Sequence, residues 1–131
     1  MATIFYSWQS DISTNINRNF IRDAIEKAIE QTAKSLNLDD APRLDQDTSD
    51  VPGSPDITNT ILQKIENCAV FIPDLTIVAH TTKNEPSPNP NVLIEYGYAL
   101  KTLGPDRIVP IMNEEFGEAK NSLPFDIKHR R

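Results

Sequence analysis

The polar side chains with the most chemical reach in this sequence follow directly on short apolar runs. Ser7, Trp8, Gln9, Ser10 and Asp11 come after Thr3-Ile4-Phe5-Tyr6, and Asp45 and Asp47 come after Arg43-Leu44. Asp74 comes after Cys68-Ala69-Val70-Phe71-Ile72-Pro73, and Asn113 and Glu114 after Arg107-Ile108-Val109-Pro110-Ile111-Met112. Singly, an Asp or Ser in such a place is an ordinary turn former or cap. Together they describe one rim that gathers several carboxylates, a tryptophan and two helix N-termini, and that rim is the candidate site.

Glu95 gives a sharper signal. Val92, Tyr96, Ala99, Leu100 and Leu103 mark the buried arc of a helix, and Glu95 lies at the edge of that arc. Its neighbours three and four positions on are Tyr98 and Ala99, so no helical ion pair accounts for it. A carboxylate on a half-buried flank costs desolvation unless it has a partner or a task. From the residues alone, an ordinary exposed glutamate reads equally well at this position.

Other chemistries fit the residues poorly. Cys68, His80 and His129 lack metal-ligand spacing. There is no G-x-G-x-x-G and no Walker lysine, so dinucleotide binding of the Rossmann type and ATP hydrolysis have no fingerprint. No histidine is placed next to a strand-end serine for a hydrolytic triad. A phosphoacceptor role for Asp74 would require carboxylates after the first strand, where the chain has Tyr6-Ser7-Trp8.

The elements that must position these groups alternate in type. Thr3 to Ser7 reads as a strand. Ile16, Phe20, Ile21, Ala24, Ile25, Ala28, Ile29 and Leu36 then give an amphipathic helix over about 14–36. Arg43-Leu44-Asp45 makes a short second strand. A second helix starts at Pro55, with Ser54 as its cap and Asp56 at the positive end of its dipole. Its stripe is Ile57, Ile61, Leu62 and Ile65. Cys68 to Ile72 is a continuous apolar run, as in a strand covered on both faces. Residues 75–89 read as a long loop, of the length that is usually functional or mobile. Asn89-Pro90 opens a third helix and Gly104-Pro105 closes it; 107–112 make a fourth strand, and Phe125-Asp126-Ile127 the start of a fifth. Such alternation implies right-handed crossovers and a ligand crevice at the carboxyl ends of parallel strands. The expected fold is α/β, a flavodoxin-like three-layer sandwich with a parallel sheet of four to five strands.

Composition sets the outer limits. The 131 residues suit one domain, 1–131, with 38% hydrophobic and 24% charged residues. Thirteen Lys and Arg against 19 Asp and Glu leave a net charge of −6, which argues against a nucleic-acid backbone or an anionic membrane as main partner. A single cysteine gives no internal disulfide framework and suits a reducing cytoplasm. No apolar run approaches the roughly 18 residues of a membrane span. No basic segment precedes an apolar one at the N-terminus, as a secretory signal would require.

Several blocks resemble the bacterial TIR-like domains of anti-phage defence effectors. They are Phe5-Tyr6-Ser7-Trp8-Gln9-Ser10-Asp11, Asp45-Gln46-Asp47-Thr48, Pro52-Gly53-Ser54-Pro55-Asp56-Ile57 and Ile72-Pro73-Asp74-Leu75-Thr76. The most specific is Asn89-Pro90-Asn91-Val92-Leu93-Ile94-Glu95-Tyr96-Gly97-Tyr98-Ala99-Leu100. The resemblance implies an NAD+ glycohydrolase, with NAD+ as substrate and neither metal nor resident cofactor, and with Glu95 as the catalytic residue. It maps the pocket-lining loops to Tyr6, Ser7 and Trp8 and to Gly53, Ser54 and Pro55; Asp45, Asp74 and Tyr98 complete the candidate substrate-binding set. It further implies activation by TIR–TIR homo-oligomerisation and a sensor region beyond Arg131. A complete fold of this family would continue past Arg131, so the chain is expected to be a domain excised from a longer protein. Two other readings stand beside this one. One is a non-catalytic self-association module. The other is a nucleoside or nucleotide N-glycosidase similar to the deoxyribosyltransferases, which carry a related Glu-bearing helix.

Overall fold

The computed structural model describes residues 2–46 and 55–116 of the chain. The expected loop residues Asp47, Gly53 and Ser54 and the expected strand at 125–127 lie outside the described residues. Within them the chain is mixed α/β, with three helices and a three-stranded parallel sheet. The sheet is formed by β1 (Thr3–Ser7), β2 (Arg43–Asp45) and β3 (Val70–Pro73) in the order β2-β1-β3. Phe5 pairs with Asp45 on one side and Phe71 on the other, so β1 is central.

Side-chain alternation along β1 and β3 divides the core. Phe5 and Phe71 join Ile65 of α2 (Pro55–Asn67) and Val92, Tyr96 and Ala99 of α3 (Pro90–Thr102) in one buried cluster. The rings of Phe5 and Phe71 meet there at 5.9 Å between centroids. Tyr6 and Ile72 point the other way and pack with Ile21 and Ile25 of α1 (Arg18–Ser35).

Four expectations are corrected here. The first helix begins at Arg18 rather than near 14, because residues 14–17 form turns in which Ile16 and Asn17 both donate to the Ser13 carbonyl. It ends at Ser35, where Asn37 adopts φ of 53° and Leu38 returns its N–H to the Ala33 carbonyl at 3.0 Å. Its apolar stripe is only partly covered. Ile21 and Ile25 are buried, whereas Ile16, Phe20 and Leu36 are exposed, and Phe20 lines an open apolar trough of about 490 Å³ with Ile29, Val109 and Ile111.

Residues 75–89 are not a plain loop. They contain an antiparallel hairpin of β4 (Ile77–His80) and β5 (Pro86–Pro88), closed by a turn in which Thr81 and Glu85 bond and Asn84 takes φ of 60°. Lastly, 107–112 lies alongside β3 but pairs only through two isolated parallel bridges, Phe71 with Ile108 and Asp74 with Ile111. Val109 and Ile111 donate to the carbonyls of Phe71 and Pro73. The rung between them is absent because Pro73, whose nitrogen faces this edge, has no N–H to give.

Candidate active site

Ser7 ends the central strand. By the alternation that sends Phe5 toward α2 and α3, Ser7 points the same way, and it is buried. Helix α3 arrives above it through a well-formed start. The Asn89 side-chain oxygen accepts from the amides of Asn91 at 2.8 Å and Val92 at 3.2 Å, and Pro90 supplies a preset first helical φ. With Val92, Tyr96 and Ala99 turned into the core, Glu95 falls on the flank that looks at the end of β1. The Ser7 hydroxyl donates to Glu95 Oε1 at 2.5 Å.

Burial pushes the Glu95 carboxyl above the ordinary carboxylate range, and the Ser7 hydrogen bond pulls partly against that rise. A carboxylate in this position is ionised at some cost and poorly solvated. It therefore gains more than an exposed one when a cation forms beside it.

The loop leading out of β1 folds toward the start of the same helix. Gln9 is buried, and its Oε1 accepts from the amides of Asp11 at 2.7 Å and Ile12 at 3.2 Å. The Asp11 carboxylate accepts from Asn89 Nδ2 at 2.7 Å. Asn89 thus uses its oxygen on α3 and its nitrogen on the loop.

The other expected substrate-binding residues sit elsewhere. Tyr6 is fully buried on the α1 side of the sheet. Its hydroxyl has no hydrogen-bond partner among the described residues, and burial, then the charge of Asp74, hold its pKa well above the usual tyrosine value. Trp8 packs on the same side. Its indole N–H donates to the Gln46 carbonyl at 2.9 Å, and the Arg18 guanidinium lies 3.6 Å above its ring. Asp45 is buried at the end of β2, with Lys64 Nζ at 3.1 Å and Arg43 at 3.9 Å. Tyr98, on α3, donates its hydroxyl to Glu66 near the end of α2 at 2.6 Å, and that bond raises its pKa.

Asp74 is fully buried and anchors a polar network at the carboxyl rim. Its Oδ2 accepts from Asn17 Nδ2 at 2.7 Å, and its Oδ1 accepts from both the amide and the hydroxyl of Thr76. Asn113 closes the ring, donating its amide to Thr76 Oγ1 at 2.9 Å and its Nδ2 to Asn17 Oδ1 at 3.3 Å. Three separate pieces of chain are tied together in this way. Asn17 belongs to no motif, yet it stands four residues before Ile21 and eight before Ile25, on the buried line of α1. A polar residue on such a line is a readable sign of a buried partner. Thr76 carries no comparable sign.

The structure therefore brings Ser7 to Glu95, keeps Asp11 nearby through Asn89, and distributes Tyr6, Trp8, Asp45, Asp74 and Tyr98 around the rim and the two sheet faces. Among the described residues no group of three or more His, Cys, Asp or Glu side chains converges as a metal site. Nor does any helix among them have the length and apolar character to cross a membrane. No protein-family model matches the chain, and no curated protein matches it.

Proposed function

We propose that the chain is a TIR-like NAD+ glycohydrolase that cleaves the bond between nicotinamide and ribose. The observation that carries this reading is the half-buried Glu95 carboxylate held by the Ser7 hydroxyl at the carboxyl end of the central strand. In the reaction, the electron pair of the C1′–N bond leaves with nicotinamide and neutralises its ring nitrogen. Positive charge is left on the ribose, spread over C1′ and the ring oxygen. Glu95 stabilises that charge, water adds to C1′, and the proton it sheds passes to solvent. Nicotinamide is already cationic in the substrate and departs neutral, so one carboxylate suffices and no strong acid is needed.

The wider reading goes with this one. The fold is a flavodoxin-like three-layer sandwich in which 107–112 runs beside β3 through its two bridges. The protein works in the cytoplasm as the toxic effector of a bacterial immune system, its domains activated by homo-oligomerisation under a sensor region. The order β2-β1-β3 with 107–112 beyond β3, and helices on both sheet faces, support the fold.

The test is nicotinamide release from NAD+ by the oligomerised full-length protein. Glu95→Gln is expected to lower it by about 10³-fold, within the range for loss of an electrostatic catalyst. Equal turnover by wild type and Glu95→Gln would sink the assignment. Absence of NAD+ turnover in confirmed assemblies would favour a self-association module, and release of bases from a nucleoside panel would favour the N-glycosidase reading.

A further inference from the structure

We propose that Asp11 and Asn89 form a clamp that sets the loop after β1 against the Glu95 helix, making both of them positioning residues for the substrate of the NAD+-cleaving reading above, on which this inference rests. Two contacts join the same two pieces of chain. Ser7, at the end of β1, holds Glu95 at 2.5 Å, and Asp11, four residues on, is held by Asn89, six residues before Glu95, at 2.7 Å. The inner contact is buried on the Ser7 side and orients the carboxylate. The outer contact is exposed and fixes the loop.

Between the two, Gln9 makes the loop a defined shape. Its oxygen gathers the amides of Asp11 and Ile12, so the Asp11 carboxylate is presented by a turn that is already formed. Asn89 is committed at the other end, because its oxygen caps α3 through two amides while its nitrogen is left to face Asp11. An amide side chain is the residue type that can do both at once. Ser or Asp at this position would still cap the helix, but neither offers a nitrogen donor to Asp11. A loop held at both ends beside the carboxylate presents one wall to a substrate, and its release costs substrate binding before it costs chemistry.

The experiment uses the full-length protein with Asn89→Asp, Asn89→Ser and the exchanged pair Asn89→Asp/Asp11→Asn. Asn89→Asp keeps a good helix cap and sets two carboxylates against each other. The exchanged pair restores one donor facing one carboxylate. Two quantities are read: deuterium exchange of the 8–17 segment without substrate, and KM and kcat for nicotinamide release.

For Asn89→Asp and Asn89→Ser, the segment is expected to exchange about tenfold faster, as for a loop freed from one tether. KM is expected to rise about tenfold while kcat stays within about twofold, the signature of lost substrate positioning. The exchanged pair is expected to return both quantities to wild-type values. Unchanged exchange in Asn89→Asp, or no recovery in the exchanged pair, would overturn the clamp. If no variant turns over NAD+, including wild type, the NAD+ reading fails by itself, and the exchange pattern alone still decides for or against the clamp.

Discussion

Ser7 and Glu95 stand 88 residues apart in the chain and are joined by a single hydrogen bond of 2.5 Å. The serine comes from the end of the central strand and the glutamate from the flank of a helix whose other side is core. Neither can move far. Phe5 and Tyr6 fix the strand from opposite faces, and Val92, Tyr96 and Ala99 fix the helix. The carboxylate is thus aimed by the fold, and its protonation is set by two opposed influences, burial and the serine hydroxyl.

Removing the hydroxyl should shift that balance. Without its hydrogen bond to the charged form, Glu95 in Ser7→Ala should take up protons more readily, so the acidic limb of the pH–rate profile should move to higher pH than in wild type. At neutral pH, kcat for nicotinamide release should fall about tenfold through loss of orientation. A limb that stays in place or moves to lower pH would mean that the bond does not act on the ionised carboxylate.

Glu95→Gln should raise stability at neutral pH while it removes activity. The Glu95 pKa lies above its unfolded value, so the folded state binds this proton more tightly. Its contribution to stability is full below the unfolded pKa and is lost as pH rises through the folded pKa. The glutamine variant never takes on that charge. Thermal melts should therefore show it more stable by about 1 kcal/mol at pH 7, the usual size of relieving a compromise at a functional site. The advantage should shrink as pH falls toward and below the unfolded value.

The Asp74 network predicts a large local cost. Asp74→Ala strips the partner from Asn17 Nδ2 and from both the amide and hydroxyl of Thr76, all buried, and should cost about 3 kcal/mol in urea unfolding. Asn17→Ala should cost about 2 kcal/mol. The double variant should cost clearly less than the sum, since the two residues serve one network. Additive costs would show that the groups act independently.

Tyr6→Phe should behave oppositely. The hydroxyl is buried and has no partner among the described residues, so its removal should leave stability unchanged or raise it by up to about 1 kcal/mol. Tyr6→Ala should cost about 4 kcal/mol by opening a cavity against Ile21, Ile25 and Ile72. A large loss in Tyr6→Phe would point to a partner for the hydroxyl.

The elements with local signatures were legible from the chain itself. The Asn89-Pro90 start of α3 follows from cap chemistry, the Pro55 start of α2 from the preset φ of proline, and β3 from burial on both faces, although it begins at Val70 rather than Cys68. The Ser7–Glu95 contact was half legible: alternation in β1 places Ser7 with Phe5, but which helix meets it depends on packing between distant segments. The β4–β5 hairpin was hidden because its second strand is Pro86-Ser87-Pro88, a composition that reads as loop and pairs as an edge. Phe20 looked like core by spacing alone. It lies exposed because burial along that stripe depends on neighbouring chain as well as on period.

The missing rung at Pro73 leaves two isolated bridges between β3 and the strip from 108 to 111, whereas β1 and β3 pair in register over four residues. Beyond β3, the strip from 108 to 111 hangs on Val109 below the gap and on Ile111 above it, where Ile111 donates to Pro73 and accepts from Leu75. Opening of this junction would carry Asn113 away with it, and so take one contact from Asn17 and one from Thr76, while leaving the pairing of β2 with β1 untouched. Among the described residues, the seam with the missing rung runs beside the fully buried Asp74 carboxylate, so the partner of that network which depends on the seam is Asn113.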